Sequence, residues 1–266
     1  MKFDHREVAL RAKRLRKTYG VDTNGISDIF SFVIQQGIEL IRYPFGKNTI
    51  LGFATVFEGK KIIISNSSEI LSREIYTIAH ELGHIIFDFE ENIGNIKIDR
   101  ESETEDSISE ERAYYFADCL LMPEDKMKLM LEEVLKKTGS ELRAINIVQM
   151  QLEFNVSYSA LLERLYSLNI IDYNKKQSLY KERDFYSSKK LFAMLGADED
   201  LLSAVNKLVV PPQYIDYVIS NYENKYIPLS SLKKAFNLVG IDTSDLNEEL
   251  VTEEEESLEE LFEEYD

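Results

Sequence analysis

The run Ile78-Ala79-His80-Glu81-Leu82-Gly83-His84-Ile85-Ile86 places a His-Glu-x-x-His pattern inside an apolar stretch with helical spacing. On a helix, residues i and i+4 share a face with their Cβ atoms about 6 Å apart, so His80 and His84 can both reach one cation. Glu81 lies on the adjoining edge, where its carboxylate reaches a water held by that cation without being a ligand. A zinc peptidase needs this arrangement: zinc brings the pKa of water toward neutrality and polarises the scissile carbonyl, and a carboxylate takes the proton. The competing reading is a pair of histidines satisfied by hydrogen bonds on a buried helix. Gly83 speaks against it, because glycine costs about 1 kcal/mol in a helix interior and signals a close approach by another chain segment or a metal.

A catalytic zinc takes three protein ligands and keeps one position open. The chain has three histidines, and the remaining one, His5, lies far upstream in a basic helix. The third ligand is therefore expected to be a carboxylate. Glu110 is the candidate, because Glu110, Ala113 and Ala117 fall at i, i+3 and i+7 on one face of a second helical run that ends at Pro123. Two alanines beside the glutamate would let this helix pack tightly on the first. Glu111 points about 100° away and is expected in solvent.

The elements that must hold these residues can be read from periodicity. Residues 6–18 and 26–38 have helical spacing. Residues 50–57 and 61–65 are β-rich, and Glu58-Gly59-Lys60 between them signals a hairpin. A helix follows from about residue 72 to 87, then a polar, acidic loop over 88–104, then a helix over 105–121. Further helices are expected at 124–137, 141–153, 158–168, 188–207, 211–222 and 228–238. The expected fold class is α+β, a zincin-like domain with a small antiparallel sheet plus the HExxH helix, followed by an all-helical C-terminal region. Three parts are expected: a metallopeptidase domain over 1–170, with a helix-turn-helix-like segment at 141–168; a helical regulatory or partner-binding domain over 171–247; and an acidic tail over 248–266.

Composition limits the function classes. The 266 residues are 44% hydrophobic, enough for a sizeable core, and carry a net charge of −17. Residues 248–266 hold eleven acids and no base, so the charge sits mainly in the tail. Such a run is solvated in the simplest reading, although Leu258, Leu261, Phe262 and Tyr265 give it a spacing that would allow docking. The overall charge argues against direct nucleic-acid and membrane binding. In the second helix of the helix-turn-helix-like segment at 141–168, Arg164 sits beside Glu163, without the basic side chains that phosphate contact needs. One cysteine, Cys119, suits a reducing compartment and reads as a small core residue, with a regulatory thiol as the minor alternative. The basic N-terminus has no apolar segment of a signal peptide after it, and no apolar run approaches the ~20 residues that span a bilayer. A cytoplasmic location is expected. The first β-run, 50–57, is either an edge that binds extended substrate or part of an ordinary hairpin. Tyr76, Tyr114 and Tyr115 are oxyanion candidates that read more simply as core, and none is assigned that role.

His80-Glu81-Leu82-Gly83-His84, followed by Glu110-x-x-Ala113-x-x-Phe116-Ala117-x-x-Leu120-Leu121-Met122-Pro123, resembles the ImmA/IrrE family of bacterial and phage metallopeptidases. The likeness covers about residues 5–170 and includes the run Phe154 to Leu165. It implies that His80, His84 and Glu110 bind Zn2+ and that Glu81 is catalytic, in a gluzincin-like enzyme. It also implies a protein substrate, a helix-turn-helix transcriptional repressor, whose cleavage derepresses a phage, mobile-element or stress programme. Where the family often has Asn or Asp four residues after the ligand glutamate, this chain has Tyr114, so the group that orients a ligand histidine is unassigned. The alternative function is a module that binds and sequesters a repressor or another protein without cutting it.

Overall fold

The computed structural model describes residues 3–21, 23–89, 96–99 and 107–244, with backbone alone for 96–99. Four strands, β1 (Glu39–Tyr43), β2 (Gly52–Phe57), β3 (Lys60–Asn66) and β4 (Ile96–Asp99), form one sheet in the order β1-β3-β2-β4. The β2–β3 hairpin turns at Glu58-Gly59, with φ of 48° and 79°, the positive pair that a two-residue turn needs to match strand twist.

Two features depart from expectation. The sheet is mixed, because β1 runs parallel to β3 while β2 pairs antiparallel with both β3 and β4. β2 is consequently an inner strand, so residues 50–57 are not a free edge. The sequence concealed both flanking strands. Only Leu40 of β1 is buried, which leaves no alternation to read, and β4 lies inside the acidic stretch taken as loop.

Four helices build the centre: α1 (His5–Thr18), α2 (Ile29–Gln35), α3 (Leu71–Phe87) and α4 (Ser107–Leu121). α3 is buried around most of its circumference, Glu74, His80, Glu81 and His84 included, because β2, β3, α2 and α4 all pack on it. Its first turn is tied to the sheet through buried Glu74. This carboxylate accepts two hydrogen bonds from Arg42 of β1, at 2.8 and 2.6 Å, and one from Ser65 Oγ of β3 at 2.8 Å. A buried charge paired this fully fixes geometry more than it adds stability. α4 is anchored at its other end. Buried Arg16 of α1 donates to Cys119 O, and buried Arg164 donates to Met122 O at 3.3 Å, filling carbonyls that the helix terminus leaves without partners.

The chain then continues through α5 (Glu124–Leu129), a π turn (Met130–Leu135), α6 (Ala144–Phe154), α7 (Tyr158–Ser167), α8 (Tyr173–Tyr186) and α9 (Ser188–Met194). Residues 172–187, where the apolar pattern lapses, are mostly helix. α8 buries only Leu179 and is started by Asp172, whose side chain accepts from Lys175 N. One compact unit spans Met1–Lys207, beyond the boundary near 171 expected from sequence. Its last residues reach back to the head of α3: Leu71 N donates to Ser203 O at 2.9 Å and Asn206 N donates to Ser67 O at 2.7 Å. The second unit, Leu208–Asp266, holds α10 (Tyr214–Glu223) and α11 (Leu229–Leu238), with Val218 and Leu232 buried. The acidic tail at 248–266 lies outside the described residues. No helix among the described residues is long and apolar enough to cross a membrane.

Candidate metal centre

The site is the seam between α3 and α4. At Gly83 an added Cβ would stand 3.0 Å from Ala113 Cα and 3.2 Å from its Cβ, so glycine and alanine set how closely the helices approach. This contact is the reason a residue costly to a helix interior sits between the two histidines. It also brings Glu110, one turn before Ala113, opposite them.

Three ligand atoms converge there. Glu110 places one carboxylate oxygen 3.1 Å from His80 Nε2 and the other 3.1 Å from His84 Nε2, and the two Nε2 atoms are themselves 3.1 Å apart. Four-coordinate zinc with arms of ~2.0–2.1 Å separates its ligand atoms by about 3.3 Å, close to each of these three contacts, two of which use different oxygens of Glu110. Both imidazoles are buried, and the Glu110 side chain is 30% exposed, which leaves one side open. Two imidazoles and a carboxylate suit a divalent ion of intermediate softness. His80, His84 and Glu110 therefore form a cluster capable of holding a metal ion. His5 takes no part; it is exposed, stacks on Phe3 and meets Tyr115 edge-on, with ring centroids 4.3 and 4.6 Å away.

Sequence reasoning missed Asp88. It ends α3 one turn after His84, and its carboxylate lies 2.6 Å from His84 Nδ1. It also accepts from Ser109 Oγ at 2.6 Å and from Arg112, both on α4. A carboxylate on Nδ1–H fixes ring orientation and leaves the Nε2 lone pair for a metal. This is the group that had no assignment. It comes from the end of α3, not from the Tyr114 position; the available signal was the i, i+4 spacing from His84 to Asp88 on one helix face. Replacing Asp88 with Asn is expected to lower metal affinity by about 10–100-fold without loss of fold, as read by competition with a chromophoric chelator.

The electrostatics of the metal-free cluster match this geometry. Burial works against a charged His84, but hydrogen bonds to Asp88 and Glu110 prevail and raise its pKa to about 9. Burial likewise favours a neutral Glu110, yet hydrogen bonds to His80 and His84 lower its pKa to about 2. The stability that His84 contributes is fully present below its ordinary 6.5 and is lost as pH rises through about 9. The Glu110 contribution is present above 4.5 and is lost as pH falls through about 2. A metal ion needs the lone pair that this proton occupies. Apparent metal affinity is expected to climb roughly tenfold per pH unit up to about pH 9, a slope that chelator competition at several pH values measures directly. A flat profile would exclude proton displacement from His84.

Glu81 is fully buried on α3, under the strand that covers this helix. A Cβ added at Gly52 of β2 would meet Thr77 Cγ2 at 2.7 Å and Glu81 Cγ at 3.7 Å, so glycine at 52 makes room for that helix face. Of the three tyrosines, Tyr76 donates to Asp118 Oδ1 at 2.8 Å, Tyr115 lies with His5 and Phe3, and the Tyr114 ring packs on His80 with centroids 4.2 Å apart. Glu111 is exposed, as expected. Cys119 is a free, buried thiol whose pKa burial raises, so it stays protonated and inert. Arg164 is 2% exposed and occupied with α4, so the helix-turn-helix-like pair α6–α7 does not present it to a phosphate.

A mixed sheet, a buried helix carrying two histidines and a second helix supplying a glutamate define a metallopeptidase-like α+β domain. The model of the peptidase M78 family, the IrrE N-terminal-like domain, matches residues 34–166, half of the chain, and the chain belongs to that family. The match runs from α2 to α7 and contains His80, Glu81, His84 and Glu110. No curated protein matches the chain.

Proposed function

We propose that the chain is a zinc-dependent endopeptidase of gluzincin-like type, in which His80, His84 and Glu110 hold the metal and Glu81 is the catalytic base. The observation that carries this reading is the convergence of His80 Nε2, His84 Nε2 and the Glu110 carboxylate, each imidazole 3.1 Å from one carboxylate oxygen and from the other imidazole, with one side open and the buried Glu81 one residue along from His80. Zinc in such a site lowers the pKa of water toward 7 and polarises a carbonyl. Glu81 takes the proton from the attacking water and returns it to the leaving amine. Asp88 holds the His84 ring in the tautomer that serves the metal. An extended substrate segment adds at an edge of the sheet, along β1 or β4, since β2 is paired on both sides.

The substrate we propose is a helix-turn-helix transcriptional repressor, cut in the cytoplasm so that a phage, mobile-element or stress programme is released. Family membership supports a peptidase role. The repressor rests on the resemblance to ImmA/IrrE proteins. We assign the unit from Leu208 onward to regulation or partner recognition. A time course with the repressor encoded beside this protein tests the reading. Fragments that a chelator suppresses are expected; an intact stoichiometric complex would establish the sequestering module instead. That alternative drew on Tyr114 in place of an orienting carboxylate, and the Asp88–His84 hydrogen bond supports the enzyme over it.

A further inference from the structure

The two imidazoles of the metal centre are supported differently. His84 Nδ1 has the Asp88 carboxylate at 2.6 Å, whereas His80 Nδ1 is buried and has no hydrogen-bond partner among the described residues. What lies against His80 is the ring of Tyr114, with centroids 4.2 Å apart and planes inclined by 46°. We propose that Tyr114 is a positioning residue that holds the His80 imidazole for the metal by ring contact, and that Tyr76, fastened to Asp118, keeps Tyr114 in place. This inference rests on the metal-binding part of the reading above and assigns what supports its other histidine.

Three observations carry it. The first is register. Tyr76, His80 and His84 recur every four residues on α3, and Glu110, Tyr114 and Asp118 do so on α4. Residues so spaced share one helix face, and here the two faces meet. Glu110 bridges both histidines, Tyr114 covers His80, and Asp118 receives Tyr76. The second is the fastening of Tyr76. Its Oη donates to Asp118 Oδ1 at 2.8 Å and lies 3.5 Å from the Tyr114 carbonyl, so it spans one turn of α4. Its ring stacks with that of Tyr114 at 6.4 Å between centroids, within the range of aromatic pairs. Tyr114 is itself 45% exposed, so its place depends on this neighbour. The third is the chemistry of a histidine ligand. When Nε2 gives its lone pair to a metal, Nδ1 carries the ring proton. At His84 a carboxylate takes that hydrogen bond and fixes the ring. At His80 orientation must come from packing, because the χ2 torsion of histidine is intrinsically broad. The Tyr114 ring at 4.2 Å and the edge-on His84 ring at 4.7 Å confine it.

The test titrates zinc and cobalt into the full-length metal-free protein. Affinity is read by chelator competition, and the visible bands of the cobalt form record ligand geometry. Tyr114→Ala should bind both ions about 10-fold more weakly and shift the cobalt bands, while its metal-free melting temperature stays near that of the parent. Tyr114→Phe keeps the ring and should match the parent in affinity and spectrum. Tyr114→Leu keeps apolar bulk without a flat face and carries the test if Tyr114→Ala fails to fold; it should weaken binding several-fold. Tyr76→Phe should cost about threefold in the parent and nothing further in Tyr114→Ala, the non-additivity of residues that act in series. Parental affinity and spectrum in both Tyr114→Ala and Tyr114→Leu, or Tyr114→Phe as weak as Tyr114→Ala, would overturn the ring assignment and leave the metal reading standing. A parent that bound neither ion would overturn the metal reading and this inference with it.

Discussion

Replacing Glu81 with Gln is expected to leave metal content equal to that of the parent and to lower the rate of peptide cleavage by roughly 10²–10⁴-fold, the usual contribution of a positioned general base. Gln preserves the shape of the side chain, so the close packing of Thr77 and Glu81 beneath Gly52 is kept. An amide cannot accept the proton that the attacking water must give up. Glu81 also lies outside the three-atom cluster that holds the metal, so its loss should not release the ion. Metal analysis of the purified variant together with single-turnover cleavage reads both halves. If the Gln variant retained the parental rate, proton transfer by Glu81 would be wrong; if it lost the metal, its separation from the ligand set would be wrong.

Replacing Glu110 with Ala is expected to have the largest effect on metal loading. The glutamate supplies one of three ligand atoms and the only negative charge among them, so removing it leaves two neutral imidazoles to hold a divalent ion. Bound metal stabilises the folded state by about 2.7 kcal/mol at 100 times its Kd. For a folded unit of this size that corresponds to a rise in Tm of roughly 5–10 °C. The parent should show this rise on metal addition, and Glu110→Ala should not. The metal-free variant should also melt below the metal-free parent near pH 7, because His84 loses one of the hydrogen bonds that hold it protonated. A Glu110→Ala protein that still melted higher with metal would show that the third ligand comes from elsewhere. Glu111→Ala, on an exposed neighbour, is the control expected to behave as the parent.

The cluster capable of holding a metal was legible because such a cluster depends on local spacing. His80, Glu81 and His84 lie within one turn of one helix, where rise and twist are fixed, so their relation follows from sequence alone. Glu110 was accessible by a longer route. The scarcity of histidine called for a carboxylate, and the small residues Ala113 and Ala117 marked the face of its helix that packs closely. The Gly83–Ala113 contact shows the same small residues meeting from the other side. Asp88 escaped notice even though it stands four residues after His84. An acid at a helix end is common for many reasons, and only the fold brings Ser109 and Arg112 onto its other lone pairs.

What the sequence determined by itself was everything carried by short-range periodicity: the helix with the two histidines, its partner helix, the β2–β3 hairpin and the residues of the cluster capable of holding a metal. Tertiary structure alone decided the strand order, which puts β1 and β4 at the two edges: β1 carries no alternation, and β4 is four residues long inside an acidic stretch. It also decided that α8 and α9 belong to the first unit and that residues 203–207 close on the head of α3. These are contacts across more than a hundred residues of chain, such as Asn206 with Ser67, and no local pattern encodes which distant carbonyl will satisfy a given N–H. A cavity of about 200 Å³ beside His80 is the sharpest instance. Its walls come from α3, α4, the start of β2 and α7, segments whose meeting is fixed by burial of the whole core and not by any one of them.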